Sequence, residues 1–333
     1  MALPAIADIY SVTSQEQSKM LDEADDWIDD MPDGIQDKIS DAVVHSLRGF
    51  YSELNYFRTQ VLSDTSSFSN VGTRSFNTKD SRVKIRYYSS VKKGGSKTEK
   101  SLLVYFHGGG WTLGSINASD KFCRALASKG DVEIASIDYP LAPENDYSDI
   151  ISKCAEAVKY ISQVFPGKSI SLGGDGAGGN LAVSSFYLLK RMDPKLKIKS
   201  LILFYPLLSV NMDNASDAWH RYSRGYGLDG RVMEAFSQAY GVPSHSSDYV
   251  TSVNSIPDSQ IKELPPILLV MSGRDIIIDD NREFAKRLKR CGVKCQSVEF
   301  SGAIHGFITD KNQNTAFTKA VDFTNLFINQ LVR

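Results

Sequence analysis

The chain has 333 residues and a mass of 36.8 kDa, which is enough to bury one large core. Its 38 Lys and Arg balance 39 Asp and Glu, so charge suggests neither nucleic acid nor an anionic membrane as a partner. We therefore expect a neutral small-molecule partner, no nucleic acid and no stable membrane insertion. The residues after Met1 lack the basic and apolar regions of an export signal, which predicts a cytoplasmic protein.

The first part of the chain, residues 1 to about 60, has the spacing of amphipathic helices. One predicted apolar face contains Met20, Ala24, Trp27 and Ile28, and a second contains Ile39, Val43, Val44, Leu47 and Phe50. We interpret residues 1–60 as N-terminal cap helices, because such faces need a partner to cover them.

From about residue 80 onward, short β-rich apolar runs alternate with longer helical patterns. This alternation predicts an α/β protein with a mostly parallel, doubly wound sheet that is covered by helices on both faces. The predicted strands are 83–88, 102–106, 133–137, 169–173, 200–204, 267–271 and 294–300. The predicted helices between them are 118–128, 149–163, 178–191, 279–291 and 314–331.

Residues 209–262 interrupt the alternation with loops rich in Pro and Ser and one further helix. In an open α/β sheet the ligand lies at the carboxyl ends of the strands, and an insertion after the 200–204 strand is well placed to cover that crevice. We expect this cap insertion and residues 1–60 to form one composite cap over a catalytic core of residues 61–208 and 263–333.

The strongest motif is His107-Gly108-Gly109-Gly110-Trp111, directly after a predicted strand. Consecutive glycines expose backbone amides and allow close approach of a substrate oxygen, and His-Gly-Gly-Gly after a strand is an oxyanion motif of lipases and esterases. We expect the amides of Gly108 and Gly109 to bind an oxyanion. Trp111 and His107 are predicted substrate-binding residues, although His107 is expected to brace the loop rather than transfer protons.

A second glycine-rich segment, Gly174-Asp175-Gly176-Ala177-Gly178, lies between a predicted strand and a predicted helix. This is the context of a nucleophile elbow, which needs small residues two positions before and after the nucleophile. Gly174 and Gly178 occupy those positions, and Gly176 stands where serine is expected. The amide of Ala177 is predicted to complete the oxyanion hole. A phosphate-binding loop is a weaker alternative, because no Lys-Ser or Lys-Thr follows the glycines.

The remaining catalytic candidates follow two late strands. Asp275 comes after the 267–271 strand and His305 comes after the 294–300 strand. In α/β-hydrolases the triad runs in the order nucleophile, acid, histidine, which Gly176, Asp275 and His305 respect. Asp279 and Asp280 are alternative acids, but they fall at a predicted helix start, where an N-cap is the simpler role.

Together these motifs resemble the hormone-sensitive-lipase-like family of esterases, in order and spacing, over residues 80–333. The segment from Asp138 to Glu144, Asp-Tyr-Pro-Leu-Ala-Pro-Glu, adds to the match, although the family has arginine where Pro140 stands. It has serine where Gly176 stands. The resemblance implies an α/β-hydrolase fold and hydrolysis of short to medium acyl esters by a Ser-Asp-His triad, without a metal or other cofactor.

The glycine at position 176 supplies no oxygen, so we expect covalent catalysis to be lost while acid, base and oxyanion hole remain. It is either an engineered replacement, which the otherwise complete motifs favour, or the mark of a natural pseudo-enzyme. Two rivals are a non-catalytic ligand-binding receptor on this scaffold and an enzyme with Asp175 as the nucleophile. The expected partner is a small-molecule ester, and a homodimer is left open.

Overall fold

A twisted sheet forms the centre of the protein, whose computed structural model describes residues 10–60, 68–79, 83–91, 101–210, 216–242, 252–310 and 312–332. The strands in these residues are β1 Val71–Asn77, β2 Lys84–Ser90, β3 Ser101–Phe106, β4 Val132–Asp138, β5 Ser169–Asp175, β6 Ile198–Phe204, β7 Ile267–Arg274 and β8 Cys295–Ile304. Their order across the sheet is β1-β2-β4-β3-β5-β6-β7-β8.

The sheet confirms the predicted fold class. β1 and β2, and β2 and β4, pair antiparallel, whereas every pair from β4 to β8 is parallel. All seven predicted strands are present. β1 was not predicted, because only Val71 of this edge strand is buried and its sequence lacks an apolar alternation.

Helices cover both faces of the sheet. They are α1 Ser14–Asp29, α2 Ile35–Ser46, α3 Ser52–Thr59, α4 Asp120–Ser128, α5 Tyr147–Val164, α6 Ala177–Met192, α7 Asp217–Tyr222, α8 Gly230–Tyr240, α9 Asp258–Ile261, α10 Ile278–Arg290 and α11 Asn314–Val332. Side chains of β3 alternate between the two covered faces: Leu102 and Val104 belong to the core cluster that includes residues of α5, α6 and α10, whereas Leu103 and Tyr105 belong to the cluster that includes residues of α1, α4 and α11. None of the described helices is long and apolar enough to cross a membrane.

The N-terminal helices contact both the core and the inserted segment. The Gln17 side chain on α1 donates to the Glu299 carbonyl of β8 at 3.1 Å. On α2, the Ser40 hydroxyl donates to the carbonyl of Arg231 on α8 at 3.2 Å. The insertion also contains a 3-10 turn, Val253–Ser255, while its residues 211–215 and 243–251 lie outside the described part.

The predicted apolar faces of the N-terminal helices are correct only in part. Met20, Ala24 and Val43 are buried. Leu47 and Phe50 are instead 43% and 68% exposed. The second face was extended too far, because α2 already ends at Ser46 and the chain then turns away from its partner.

Candidate active site

The turn between β5 and α6 has the backbone of an elbow. Gly176 has φ +52° and ψ −116°, a conformation that L side chains rarely adopt. Its amide donates to the Phe204 carbonyl at 3.0 Å, and its carbonyl accepts from the Leu207 amide at 2.9 Å. The turn is also tight, since a Cβ on Gly178 would collide with the carbonyl of Phe106. The turn is therefore held by backbone bonds to the end of β6 and does not depend on a side chain at position 176.

The loops after β7 and β8 bring Asp275 and His305 together beside this elbow. His305 Nδ1 lies 2.7 Å from Asp275 Oδ2, and Asp275 is only 1% exposed. The other carboxylate oxygen of Asp275 accepts from the Ile277 amide at 3.2 Å. On the far side of the ring, His305 Nε2 lies 3.3 Å from the point where a Cβ on Gly176 would stand.

The alternative acids lie elsewhere. The carboxylate of Asp279, on α10, accepts from the Ala218 amide at 2.9 Å and joins the insertion to the core. Helix α10 begins at Ile278, so Asp279 and Asp280 lie in its first turn rather than at its N-cap.

The glycine loop after β3 differs from the sequence-based prediction in one amide. The Gly108 N–H donates to the buried Asp175 Oδ1 at 3.0 Å, so this amide already has an acceptor, which disfavours its predicted role in binding an oxyanion. The amides of Gly109, Gly110 and Ala177 have no acceptor among the described residues, and all three residues line the same cavity. The spacing of the motif could not reveal this, because the three consecutive glycines are chemically identical.

Asp175 is a further residue of the site. The Tyr105 hydroxyl donates to the same Oδ1 atom at 2.8 Å, and the residue is 3% exposed. Burial raises the pKa of this carboxyl to about 6, although the bonds from Tyr105 and Gly108 and the nearby His305 oppose the shift. Its carboxylate points back from the end of β5 towards β3, away from the elbow position that the alternative nucleophile would need.

The two predicted substrate-binding side chains do not line the cavity. His107 is fully buried, stacks on Tyr139 at 4.2 Å, and shares a 2.8 Å hydrogen bond between Nδ1 and the Gly108 carbonyl. Burial lowers the pKa of its imidazole. Trp111 is fully buried and stacks on Tyr240 of α8 at 4.1 Å. Each side chain packs against a neighbouring aromatic ring and braces the loop, an arrangement that disfavours the predicted contact with substrate.

A cavity of about 240 Å³ joins these elements at the carboxyl ends of the strands, where α/β folds bind ligands. Its walls are mostly apolar and come from the core and the insertion: Gly108, Gly109, Gly110, Leu113, Gly114, Ala118, Asp175, Ala177, Leu207, Leu228, Met233, Phe236, His305, Gly306 and Thr309. Helix α8 lies directly on the glycine loop, since a Cβ on Gly110 would collide with the Phe236 ring. Nothing in the sequence motifs indicated that α8 forms this wall of the cavity.

A larger cleft of about 630 Å³ lies elsewhere and contains none of the predicted site residues. It surrounds Cys295, at the amino end of β8, and Lys286, Lys289 and Lys294 lie around it. Because ligands of doubly wound sheets bind at the opposite strand ends, we assign the active site to the smaller cavity.

Arg58 on α3 connects the glycine loop to the segment after β4. Its guanidinium donates to the carbonyls of Thr112 and Ala142, each at 2.9 Å, and pairs with both carboxylate oxygens of Glu144 at 2.6 and 2.9 Å. No sequence motif pointed to Arg58. Its partner Glu144, however, belongs to the segment from Asp138 to Glu144 that matches the esterase family. No cluster of three or more potential metal ligands occurs among the described residues.

The fold and this arrangement of residues are those of an alpha/beta hydrolase fold. A family model for the alpha/beta hydrolase fold matches residues 103–309, and the chain belongs to that family. An arylesterase of Saccharolobus solfataricus is 29% identical over 234 residues, which cover 69% of this chain and 74% of that protein. A carboxylesterase of Mycobacterium tuberculosis is 27% identical over 62% of this chain and 66% of its own length.

Solved structures agree with the fold. A thermostable esterase from Pseudomonas putida superposes with a TM-score of 0.75 at 19% identity, over 97% of this chain and 99% of that one. A carboxyl esterase from the fungus Tuber melanosporum gives 0.74 at 21% identity, over 89% and 99%. Among curated relatives the chain spans only part of each protein, for example 64%, 74% and 57% of three of them.

Proposed function

We propose that this protein carries a carboxylesterase site for short to medium acyl esters, in which Gly176 occupies the nucleophile position. The observation that supports it most is the alignment of three groups: Asp275 lies 2.7 Å from His305, and the His305 Nε2 atom faces the Cβ position of residue 176 at 3.3 Å. A serine hydroxyl in that place would be within reach of the histidine base.

With serine at position 176, Asp275 would orient the imidazole and His305 Nε2 would accept the hydroxyl proton. The oxygen would attack the ester carbonyl, and the amides of Gly109, Gly110 and Ala177 would bind the oxyanion. The acyl-enzyme would then be hydrolysed by water, with the same histidine as base. The chain as it stands lacks the oxygen for this sequence, so we propose that its covalent catalysis is lost.

The cavity supports a small substrate. Its volume of about 240 Å³ lies below the usual range of ligand pockets, ~300–1,000 Å³, and its mostly apolar walls suit an acyl chain better than a charged group. The Phe236 and Met233 side chains of the insertion form part of its wall. We therefore place acetyl to butyryl esters ahead of long-chain lipids.

The test is to introduce the hydroxyl. Gly176→Ser should hydrolyse p-nitrophenyl acetate or butyrate at least ~1,000-fold faster than the parent chain, by the logic of the triad. Gly130→Ser is a matched control: Gly130 also has a positive φ, +94°, and open space around its Cβ position, but it lies in a surface turn after α4. It should leave the rate unchanged.

If Gly176→Ser binds esters without hydrolysing them, the esterase proposal fails. A non-catalytic binding protein on the same scaffold would then be the better interpretation. Ester binding is measured separately, by isothermal titration with a non-hydrolysable ketone analogue of the butyrate ester.

A further inference from the structure

The glycine at position 176 leaves room that a side chain would otherwise fill. Apart from its neighbours along the chain, two atoms of the described residues lie within 4 Å of its Cβ position, His305 Nε2 at 3.3 Å and Cε1 at 3.7 Å. A water oxygen cannot occupy the Cβ position itself, which is one bond length from the Gly176 Cα atom, but it can reach Nε2 at hydrogen-bonding distance from the adjoining cavity of about 240 Å³, which His305 lines. With glycine at position 176, no side chain of that residue stands between this cavity and the base.

The base is oriented to activate that water. The Asp275 carboxylate accepts at 2.7 Å from His305 Nδ1, so Nδ1 carries the ring proton of the neutral imidazole. The lone pair of Nε2 then points towards the elbow. The amides of Gly109, Gly110 and Ala177, which line the cavity beside it, remain available for an oxyanion.

We propose that the chain with Gly176 is itself a slow esterase that uses water directly as the nucleophile. This inference rests on the proposed ester site. His305 Nε2 removes a proton from the water while the water oxygen bonds to the ester carbonyl carbon, and the amides hold the resulting oxyanion. The tetrahedral intermediate collapses as the bond from carbon to the alcohol oxygen breaks, and that oxygen takes the proton from Nε2. The products are the free acid and the alcohol, with no acyl-enzyme between them.

This mechanism distinguishes glycine from alanine at position 176, which ordinary loss of the nucleophile does not. An alanine methyl would stand 3.3 Å from Nε2 and would narrow the approach of a water in the cavity to that atom. Gly176→Ala should therefore be slower than the parent chain, although neither form has a hydroxyl. Gly130→Ala, at a positive φ of +94° far from the cavity, controls for backbone strain.

The experiment measures hydrolysis of p-nitrophenyl acetate by the full chain and four variants, with and without diethyl p-nitrophenyl phosphate. We expect the parent chain to exceed the buffer rate by a factor on the order of 10³, without a burst and without inhibition by the phosphate ester. Gly176→Ala and His305→Ala should each lower this excess at least ~10-fold, because general-base assistance contributes typically 10²–10⁴. Gly130→Ala should not. Gly176→Ser should show both a burst and complete inhibition.

The outcomes separate this inference from the proposed function. If Gly176→Ser is active but the parent rate equals that of His305→Ala or Gly176→Ala, water attack at the elbow is refuted and the ester site stands. A parent rate that the phosphate ester abolishes irreversibly also refutes it, because lasting inhibition requires a nucleophile of the protein that the reagent phosphorylates. An inactive Gly176→Ser variant instead refutes the ester site. Thermal melting of each variant verifies folding, and Gly176→Ala alone decides the question if His305→Ala is unfolded.

Discussion

The carboxylate of Asp175 and the amide of Gly108 are joined by a hydrogen bond of 3.0 Å between the end of β5 and the loop after β3. This bond fixes the first glycine of the loop to the residue that precedes the elbow. The amides of Gly109 and Gly110, one and two positions later, line the cavity. The position of the glycine loop relative to the elbow therefore depends on a buried acid.

Replacing that acid should change how stability depends on pH. Burial raises the pKa of Asp175 to about 6, above the usual value of 3.8. The folded protein therefore binds this proton more tightly than the unfolded chain does, so protonation of Asp175 stabilises the fold. This contribution to the free energy of unfolding is complete below the unfolded-state pKa and is lost as the pH rises through about 6. Asp175→Asn cannot lose a proton, and its amide oxygen can still accept from Gly108 and Tyr105. The variant should gain on the order of 2–3 kcal/mol relative to the parent between pH 4 and pH 7.5.

Urea unfolding at pH 4, 5.5 and 7.5 measures this difference. A stability difference between variant and parent that does not change with pH would show that the carboxyl is not proton-linked to folding.

The acid of the triad can be identified in the Gly176→Ser background. Asp275→Asn should lower kcat by ~10⁴, because an amide there no longer holds the imidazole in the required tautomer. Asp279→Asn is the matched control, since its carboxylate contacts the Ala218 amide and not His305. It should cost less than about tenfold in kcat, as it removes only a bond between insertion and core. A larger loss from Asp279→Asn than from Asp275→Asn would show that the wrong acid has been chosen.

The Arg58 connection should matter for both stability and binding. Arg58→Ala leaves the carbonyls of Thr112 and Ala142 without their donor, so we expect a loss of about 1–3 kcal/mol in unfolding free energy. In the serine-bearing form, the loosened glycine loop should also raise KM. Arg231→Ala is the comparison: its side chain is 62% exposed and pairs with Asp37 at the surface, so it should cost less than ~1 kcal/mol. Equal losses for the two variants, measured by urea unfolding, would argue against a role for Arg58 in holding the loop.

The backbone of the elbow should be less strained with glycine than with serine at position 176. At φ +52° an L side chain adds strain of about 1–3 kcal/mol, which should exceed the ~1 kcal/mol by which glycine favours the unfolded chain. We therefore expect the parent to be at least as stable as Gly176→Ser. Chemical denaturation without ligand, at matched m-values, measures the difference. A serine form more stable by over ~1 kcal/mol would mean that its bond to His305 outweighs the strain.

The sequence predicted the sheet well, and it also predicted which motifs meet at one edge of the sheet. The central strands are buried on both faces, and their apolar residues therefore predicted them. The edge strand β1 is mostly exposed, so its sequence has little of this apolar pattern. The motifs after β5, β7 and β8 each follow the end of a strand, and parallel strands bring their carboxyl ends to one edge of the sheet. Asp275, His305 and the elbow accordingly lie together.

Contacts between distant segments could not be predicted in this way. The hydrogen bond from Gly108 to Asp175 joins residues that are 67 positions apart. Nothing in either motif specifies which glycine amide donates to the carboxylate. Trp111 was expected at the substrate because it follows the glycines, but its fully buried ring stacks on Tyr240 from the insertion. Such pairings depend on how the insertion packs, which local patterns do not encode.

The elbow backbone is held at both its amide and its carbonyl, by Phe204 and Leu207, whatever side chain residue 176 carries. These two bonds of the elbow therefore form with either glycine or serine at position 176, and the substitution adds only the backbone strain of a side chain at φ +52°. Two of the four glycine codons differ from serine codons by a single base, so from either of them one point mutation converts a form without a hydroxyl into one that has it. For the same reason, Gly176→Cys would place a thiol beside His305 and provide an attachment point for disulfide-linked ligands.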